Sequence, residues 1–409
     1  MRPEDLEKIT QAFRDRREIP RYSRLVSLKE IEGNKFNLNI RRYVDNAPLP
    51  EIQDVRAHLV GGIPKREVKR YSEQLARFGL KETVVFIQKD KDYFQFKPEV
   101  ESKSHIRPII EEQKSVKAIQ TDMQTRLEEV WKSAEREIVK FPGRNHLPQF
   151  RKSFQKQLLE ALLPAGVLDE FQIAGIFVNW WETVRYDLKT IVATGWSTSI
   201  IPDDYLLSAF FQKELARIDE LESRVGELDA ELTELLEEIE LEPEVDEEGK
   251  EKALTAAYVL KVLKEEIASI ADLDPAEAKR LNSLADRIQQ KNKDLRAGKS
   301  ELNKQTTALF GKLDKDGEIK TRGLIHEKRE TLKESEAKSL ILRKLHDVIA
   351  QEMGRYINTQ RRTIVSIFES LWEKYQTPLR QINSERKQSL TKLNSFLKEL
   401  GYSSQESYE

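Results

Sequence analysis

The stretch "ELARIDELESRVGELDAELTELLEEIE", Glu214–Glu240, carries Ile218, Leu221, Val225, Leu228, Leu232, Leu235 and Ile239 at alternating steps of three and four. Acids fill most positions between them, so the pattern reads as a coiled-coil stripe about three heptads long. An ascending helix of about 38 residues would reach roughly 57 Å at ~1.5 Å per residue. Downstream, the acidic "EPEVDEEGK" breaks the helix, and a return segment is expected from about Lys250. "DLDPAEAKR" then restarts a helix with Asp274 as N-cap and Pro275 in its first turn. Along it Leu281, Leu284, Ile288, Leu295, Leu302 and Leu309 hold a heptad register, with Lys291 filling one gap. Period alone does not decide which return helix pairs with the ascending one. "DKDG", Asp314–Gly317, reads as a turn.

Upstream of the arm, residues 149–196 are the most apolar part of the chain and carry Trp180, Trp181 and Trp196, which marks a core. Downstream, Leu345, Ile349, Met353, Ile357, Ile364, Phe368, Leu371 and Tyr375 define another long helix before Pro378. A terminal helix carries Leu390, Leu393, Leu397 and Leu400. Near the beginning, Leu6, Ile9 and Phe13 share one side of a helix over residues 4–17, and residues 22–44 favour extended segments or turns. "IPKREVKRYSEQLARFGL" predicts a helix between Pro64 and Gly79, and "TVVFIQKDKDYFQF" a β-hairpin. The fold class expected is mainly α: a helical body, a long antiparallel coiled-coil arm and a small α/β element with a hairpin. The divisions expected are 1–50, 51–100 (the hairpin module), 101–202 (the apolar body), 203–320 (the arm) and 321–409 (a long return helix and a terminal helix).

In 409 residues, 69 basic and 71 acidic side chains nearly cancel, so nucleic-acid or membrane binding would have to be local. With 38% hydrophobic and 34% charged residues, much of the chain must be exposed helix surface. The absence of cysteine excludes disulfides, thiolate metal sites and a cysteine nucleophile. No apolar run approaches a membrane span and Met1–Glu18 is charged, so a soluble, cytoplasmic protein with no membrane partner is expected.

Catalytic, cofactor and metal residues are not found. His58, His105, His146, His326 and His346 have no metal-ligand spacing, and structural or solvated histidines account for them. "AGKS", Ala297–Ser300, has Lys293 where a phosphate loop needs glycine and lies inside a heptad-bearing helix. "VGGIP" reads as a turn, and no nucleophile elbow occurs. Arg41, Arg42, Lys65, Arg66, Lys69 and Arg70 cluster in the first 80 residues with Tyr43 and Tyr71 interleaved. They suit DNA contact, although a solvated basic face needs the same residues.

"RYSRLVSLKEIEGNKFNLNIRRYVDN", Arg21–Asn46, closely resembles the segment that closes the methyltransferase domain in modification (M) subunits of type I restriction–modification systems. "EDLEKITQAFRDRRE" looks like that family's preceding helix. "QDVRAHLVGGIPKREV", "LDEFQIAGIFVNWWETVRYDLKTIVATGW" and "ERKQSLTKLNSFLKELGY" are similar to the C-terminal extension of one group of these subunits. The family's glycine-rich S-adenosylmethionine loop and its asn-pro-pro-aromatic motif lie upstream of the matching phrase, and this sequence contains no Pro-Pro pair.

The resemblance therefore implies a non-catalytic C-terminal portion of an adenine-N6 DNA methyltransferase, as a fragment or a split gene product. It binds no cofactor itself, while the complete enzyme uses S-adenosylmethionine. Implied partners are the N-terminal methyltransferase portion, the specificity (S) subunit, the restriction (R) subunit and double-stranded DNA. Asn37, Leu38, Asn39, Ile40 and Tyr43 would close the methyltransferase domain, with the asparagine amides satisfying a neighbouring backbone edge. Arg41 and Arg42 would face DNA or another subunit, and Leu390, Leu393, Phe396, Leu397 and Leu400 would dock S. The alternative is a free-standing scaffold whose coiled coil self-associates.

Overall fold

The computed structural model describes residues 2–47, 50–144, 146–239, 255–270, 272, 274–314, 319–400 and 402. The acidic stretch at 242–250 and most of the turn at 314–317 fall outside them. The protein is mainly α, as the periodicities imply, with a small antiparallel sheet. In chain order the helices are α1 (Pro3–Arg14), α2 (Leu28–Gly33), α3 (Val55–Val60), α4 (Lys65–Val68), α5 (Ser72–Arg77), α6 (Ile106–Glu111), α7 (Lys114–Ile138), α8 (Leu147–Leu162) and α9 (Glu170–Thr194). They continue with α10 (Asp203–Phe210), α11 (Gln212–Glu237), α12 (Ala256–Ile270), α13 (Pro275–Phe310), α14 (Leu324–Thr331), α15 (Glu334–Tyr375) and α16 (Leu379–Glu399). Two compact units result: residues 1–195 with 345–409, and residues 196–344.

The first unit is organised around aromatic rings. Trp131 of α7, Phe150 and Phe154 of α8, and Phe177 and Trp180 of α9 are buried and meet mainly edge-to-face or tilted. That geometry sets positive ring edges against negative faces. α9 starts in a capping box, Asp169 accepting from the Gln172 N–H and the Gln172 side chain accepting from the Asp169 N–H. The Trp180 indole N–H donates to the Leu345 carbonyl at 2.8 Å, fixing α15 against this core.

Further along α15 hangs the small α/β module. Strands β1 (Ile63–Pro64), β2 (Phe86–Gln88) and β3 (Tyr93–Phe96) form a sheet of order β1-β3-β2, with Phe86 opposite Phe96 and Ile63 opposite Phe94. The predicted hairpin is present, and β1 adds a strand that the sequence pattern did not suggest. The expected helix from Pro64 to Gly79 is interrupted: α4 and α5 are separated by a 3-10 turn at Lys69–Tyr71, and Pro64 belongs to β1. Phe86 packs on Phe368 and Phe96 on Trp372, so the sheet sits on α15 through aromatic contacts. Below the rings Glu67, almost completely buried, accepts from Lys374 Nζ at 2.9 Å and from the Tyr375 hydroxyl. Burial, and then the bond to Glu67, raise the Tyr375 pKa.

The second unit holds the arm. Phe211 interrupts the expected ascending helix: its φ of −126° lies outside the helical range, and it buries its ring between the end of α10 and the start of α11. α11 pairs antiparallel with α13, which settles the partner question, and α12 packs on α13 as well. Leu232, Leu235, Leu236, Val259, Leu263, Leu281, Ile288 and Leu295 form one buried cluster. Lys299 pairs with Asp229 at 2.8 Å across the seam. Gly298 of the discarded "AGKS" lies inside α13, and a β-carbon there would stand 3.1 Å from Val225, so the glycine serves close helix approach. Asp274 caps α13 as expected, accepting from the Ala276 and Glu277 N–H groups. Strands β4 (Lys312–Leu313) and β5 (Ile319–Thr321) pair antiparallel after α13, a second strand pair that the pattern did not suggest. Arg329 of α14 donates to the Thr198 and Ile201 carbonyls at 2.6 and 2.7 Å.

Tyr375→Phe deletes the hydroxyl that donates to Glu67, and Glu67→Gln deletes the charge opposite Lys374, so either should lower stability by about 1–3 kcal/mol. Urea unfolding monitored at the Trp372 ring, beside Phe96, would read the loss.

Candidate interface

Residues 2–47 are mostly surface. α1 lies against α9 with its polar side inward: Glu4, Asp5, Glu7, Lys8, Gln11 and Ala12 are half-buried. The apolar side, Leu6, Ile9 and Phe13, faces out, with Phe13 87% exposed. A helix docked on its own domain normally turns the other way. The inward contacts are specific. The Tyr356 hydroxyl of α15 donates to Glu4 Oε2 at 2.6 Å, and Arg17 pairs with Glu170 at 2.8 Å. Lys8 Nζ lies 4.1 Å from the Tyr22 ring centroid. Burial, and then the bond to Glu4, raise the Tyr356 pKa. Gly175 of α9 makes this junction possible, because a methyl group there would run into Tyr356 Oη and reach Glu4 Cβ at 3.2 Å.

After α1 the chain makes a turn closed by an Ile19–Ser23 bridge, then enters α2, capped by Ser27. The structure thus places a short helix where extended segments and turns were expected, because Ser27 offers its hydroxyl to the Glu30 N–H. Asn37, Leu38, Asn39, Ile40 and Tyr43 are brought into one compact loop. The Asn37 side chain accepts from the Asn39 N–H, and Asn39 from the Arg41 N–H, at 3.0 and 3.1 Å. The Tyr43 hydroxyl donates to the Asn37 carbonyl at 2.6 Å. Both asparagines therefore close turns in their own backbone and brace no neighbouring edge among the described residues. Leu38 and Ile40, held between them, are about 70% exposed.

The six basic candidates separate. Arg66 pairs with Asp54 at 2.8 Å, Lys65 donates to the Asp90 and Lys91 carbonyls, and Arg70 donates to the Pro50 carbonyl. Burial opposes ionisation of Asp54, but the Ala57 N–H, the Tyr93 hydroxyl and Arg66 hold its pKa below the ordinary value. Arg41, Arg42 and Lys69 are exposed and make no side-chain hydrogen bond or ion pair among the described residues.

At the other end of the chain, α16 has no buried residue. Leu390, Leu393, Phe396 and Leu400 are exposed and Leu397 half-exposed, with Leu379 and Ile382 extending the stripe toward α3. Among the described residues no group of histidines and acids could hold a metal ion, and no helix is long and apolar enough to cross a membrane. His326 accepts from the Gly323 N–H, and His346 lies against Trp131 beside Glu128. These are structural placements.

Among the described residues the geometry thus offers two exposed apolar faces and free cations. Gly175→Ala should overpack the α1–α9–α15 junction and cost about 1–3 kcal/mol. Hydrogen exchange of residues 3–14 should quicken before that of α9.

Residues 1–51 match the family described as N-6 DNA methylase, so the outward-facing segment is similar to part of an adenine-N6 methyltransferase. No curated protein and no solved structure matches the chain.

Proposed function

We propose that the chain is the non-catalytic C-terminal part of the M subunit of a type I restriction–modification DNA adenine-N6 methyltransferase, serving in assembly and in positioning DNA. The observation that carries this reading is the orientation of α1. Within the stretch that resembles N-6 DNA methylases, Leu6, Ile9, Phe13, Leu38 and Ile40 face solvent while polar residues face the body. Such a surface suits completion of a catalytic domain supplied by the N-terminal portion of the enzyme, which would hold S-adenosylmethionine and the target base. α16 then serves as the docking helix for the S subunit through Leu390, Leu393, Phe396, Leu397 and Leu400, by helix-against-helix burial, with the R subunit joining the assembly. The scaffold alternative gains no support from the arm. Leu232, Leu235, Leu281, Ile288 and Leu295 are buried within their own unit, which leaves that stripe little surface for another copy.

Two experiments test the reading. The first mixes this chain with the N-terminal methyltransferase portion and the S subunit and follows transfer of a labelled methyl group to duplex DNA. Addition of the chain should restore transfer. Phe13→Asp should abolish this restoration while leaving folding stability within about 0.5 kcal/mol, since the ring touches little of its own protein. Equal transfer with and without the chain would refute completion of the enzyme.

The second truncates the chain after Pro378. With no α16 side chain buried, the remainder should keep its melting temperature and lose binding to S. A truncated chain that unfolds would show the helix to be part of the core.

A further inference from the structure

The described residues contain four non-glycine residues at positive φ, and all four lie in the methylase-like segment: Arg16 (φ 49°), Arg21 (φ 63°), Lys35 (φ 54°) and Phe36 (φ 55°). Three are cations in places where glycine or asparagine is the usual solution. Arg16 directly follows the C-cap of α1, and the Arg17 N–H reaches back to the Ala12 carbonyl at 3.0 Å. Lys35 directly follows the C-cap of α2, and the Phe36 N–H reaches back to the Ile31 carbonyl at 2.9 Å. Both are helix ends whose left-handed residue favours glycine, because a side chain there crowds the backbone. Arg21 is the third residue of the Ile19–Tyr22 turn, after Pro20, again a left-handed place where glycine fits best.

The same three side chains are exposed and make no hydrogen bond or ion pair among the described residues. Their neighbours differ: Arg14 pairs with Asp15, Arg17 with Glu170 and Arg24 with Glu30. Arg16 and Arg21 line two adjoining grooves that share Ser23 and Arg24. The Arg24–Glu30 pair ties this turn to α2, whose C-cap Asn34 immediately precedes Lys35. The backbone thus holds three free cations in conformations that cost stability, and such strain is kept where the side chain has a use outside the fold.

We propose that Arg16, Arg21 and Lys35 form a phosphate-contacting site for duplex DNA, set by the left-handed backbone and separate from the Lys65–Arg70 cluster whose cations are partly consumed internally. DNA is favoured over an acidic protein surface because several unpaired cations on linked turns match a repeating array of phosphates, and because the segment is similar to DNA-modifying enzymes. The second ground rests on the proposed function.

The test uses the full chain and a fluorescent duplex, with anisotropy measured from 20 to 200 mM salt. The variant is Arg16→Gly/Arg21→Gly/Lys35→Gly, which relieves the strain while deleting the charges. Its melting temperature should equal or exceed that of the unaltered chain. Its DNA affinity should fall roughly tenfold or more, with the log–log salt slope reduced by about 0.9 per lost contact. Lys264→Gln/Lys279→Gln/Lys304→Gln, which removes equal charge from exposed positions in the other unit, should change neither.

Unchanged affinity and slope in the glycine variant would overturn the proposal. So would an equal loss in the control, absence of salt-dependent binding by the unaltered chain, or a lowered melting temperature, which would make the cations structural. Normal DNA binding with lost co-purification of the N-terminal methyltransferase portion would reassign them to a protein contact and overturn it too. Methyl transfer in the reconstituted mixture is read separately, so failure here leaves the enzyme-completion reading standing.

Discussion

The bond from the Trp180 indole to the Leu345 carbonyl fixes where α15 meets the aromatic core, and the rest of the first unit is attached in order along that helix. Asn179 meets Glu352 about two turns on, and Tyr356 meets Glu4 after one more. Phe368 and Trp372 then receive the sheet through Phe86 and Phe96, and Lys374 and Tyr375 close on Glu67. A helix rises ~1.5 Å per residue, so one buried hydrogen bond near its entry sets the register of every later station. The three elements that meet α15 are far apart in the chain, yet they share one rigid ruler.

Two stations are polar where an apolar contact would have sufficed. Glu67 lies almost wholly inside, and its charge is held by an ammonium and a phenol at fixed geometry. Such pairs add little net stability over hydrophobic packing, but misplacing either partner is costly, so they select one arrangement. The Tyr356–Glu4 contact selects in the same way at α1. With Gly175 beneath it and a partly exposed Arg17–Glu170 pair at its end, α1 is located accurately and held by modest forces. That combination suits an element whose larger apolar face belongs to another surface.

Much of the second unit was legible, because heptad spacing reports burial directly: the stripes of α11 and α13 face each other as their periods imply. Asp274 and Pro275 marked the start of α13 for a local chemical reason, a carboxylate for free N–H groups and a ring that needs none. Phe211 was not legible as a break, since nothing in a 3.6-residue period records a residue leaving helical φ to bury its ring. The sheet was half legible. Its hairpin is local, whereas β1 joins through pairing with a strand some thirty residues away.

The candidate interface was legible only in composition. Hydropathy identifies the Leu6, Ile9 and Phe13 side of α1 but carries no sign for inward or outward, and the usual assumption of inward fails here. The asparagines looked like braces for a neighbouring edge, yet an Asn side chain two residues before a free N–H finds that partner first, at small entropic cost. Arg16, Arg21 and Lys35 gave no sign at all, because left-handed positions are inferred from glycine and these positions lack it. The two units differ in the same respect. The second buries its long stripes internally, whereas the first leaves α1 and α16 apolar side outward at opposite ends of the chain, so the capacity for further association is concentrated in the first.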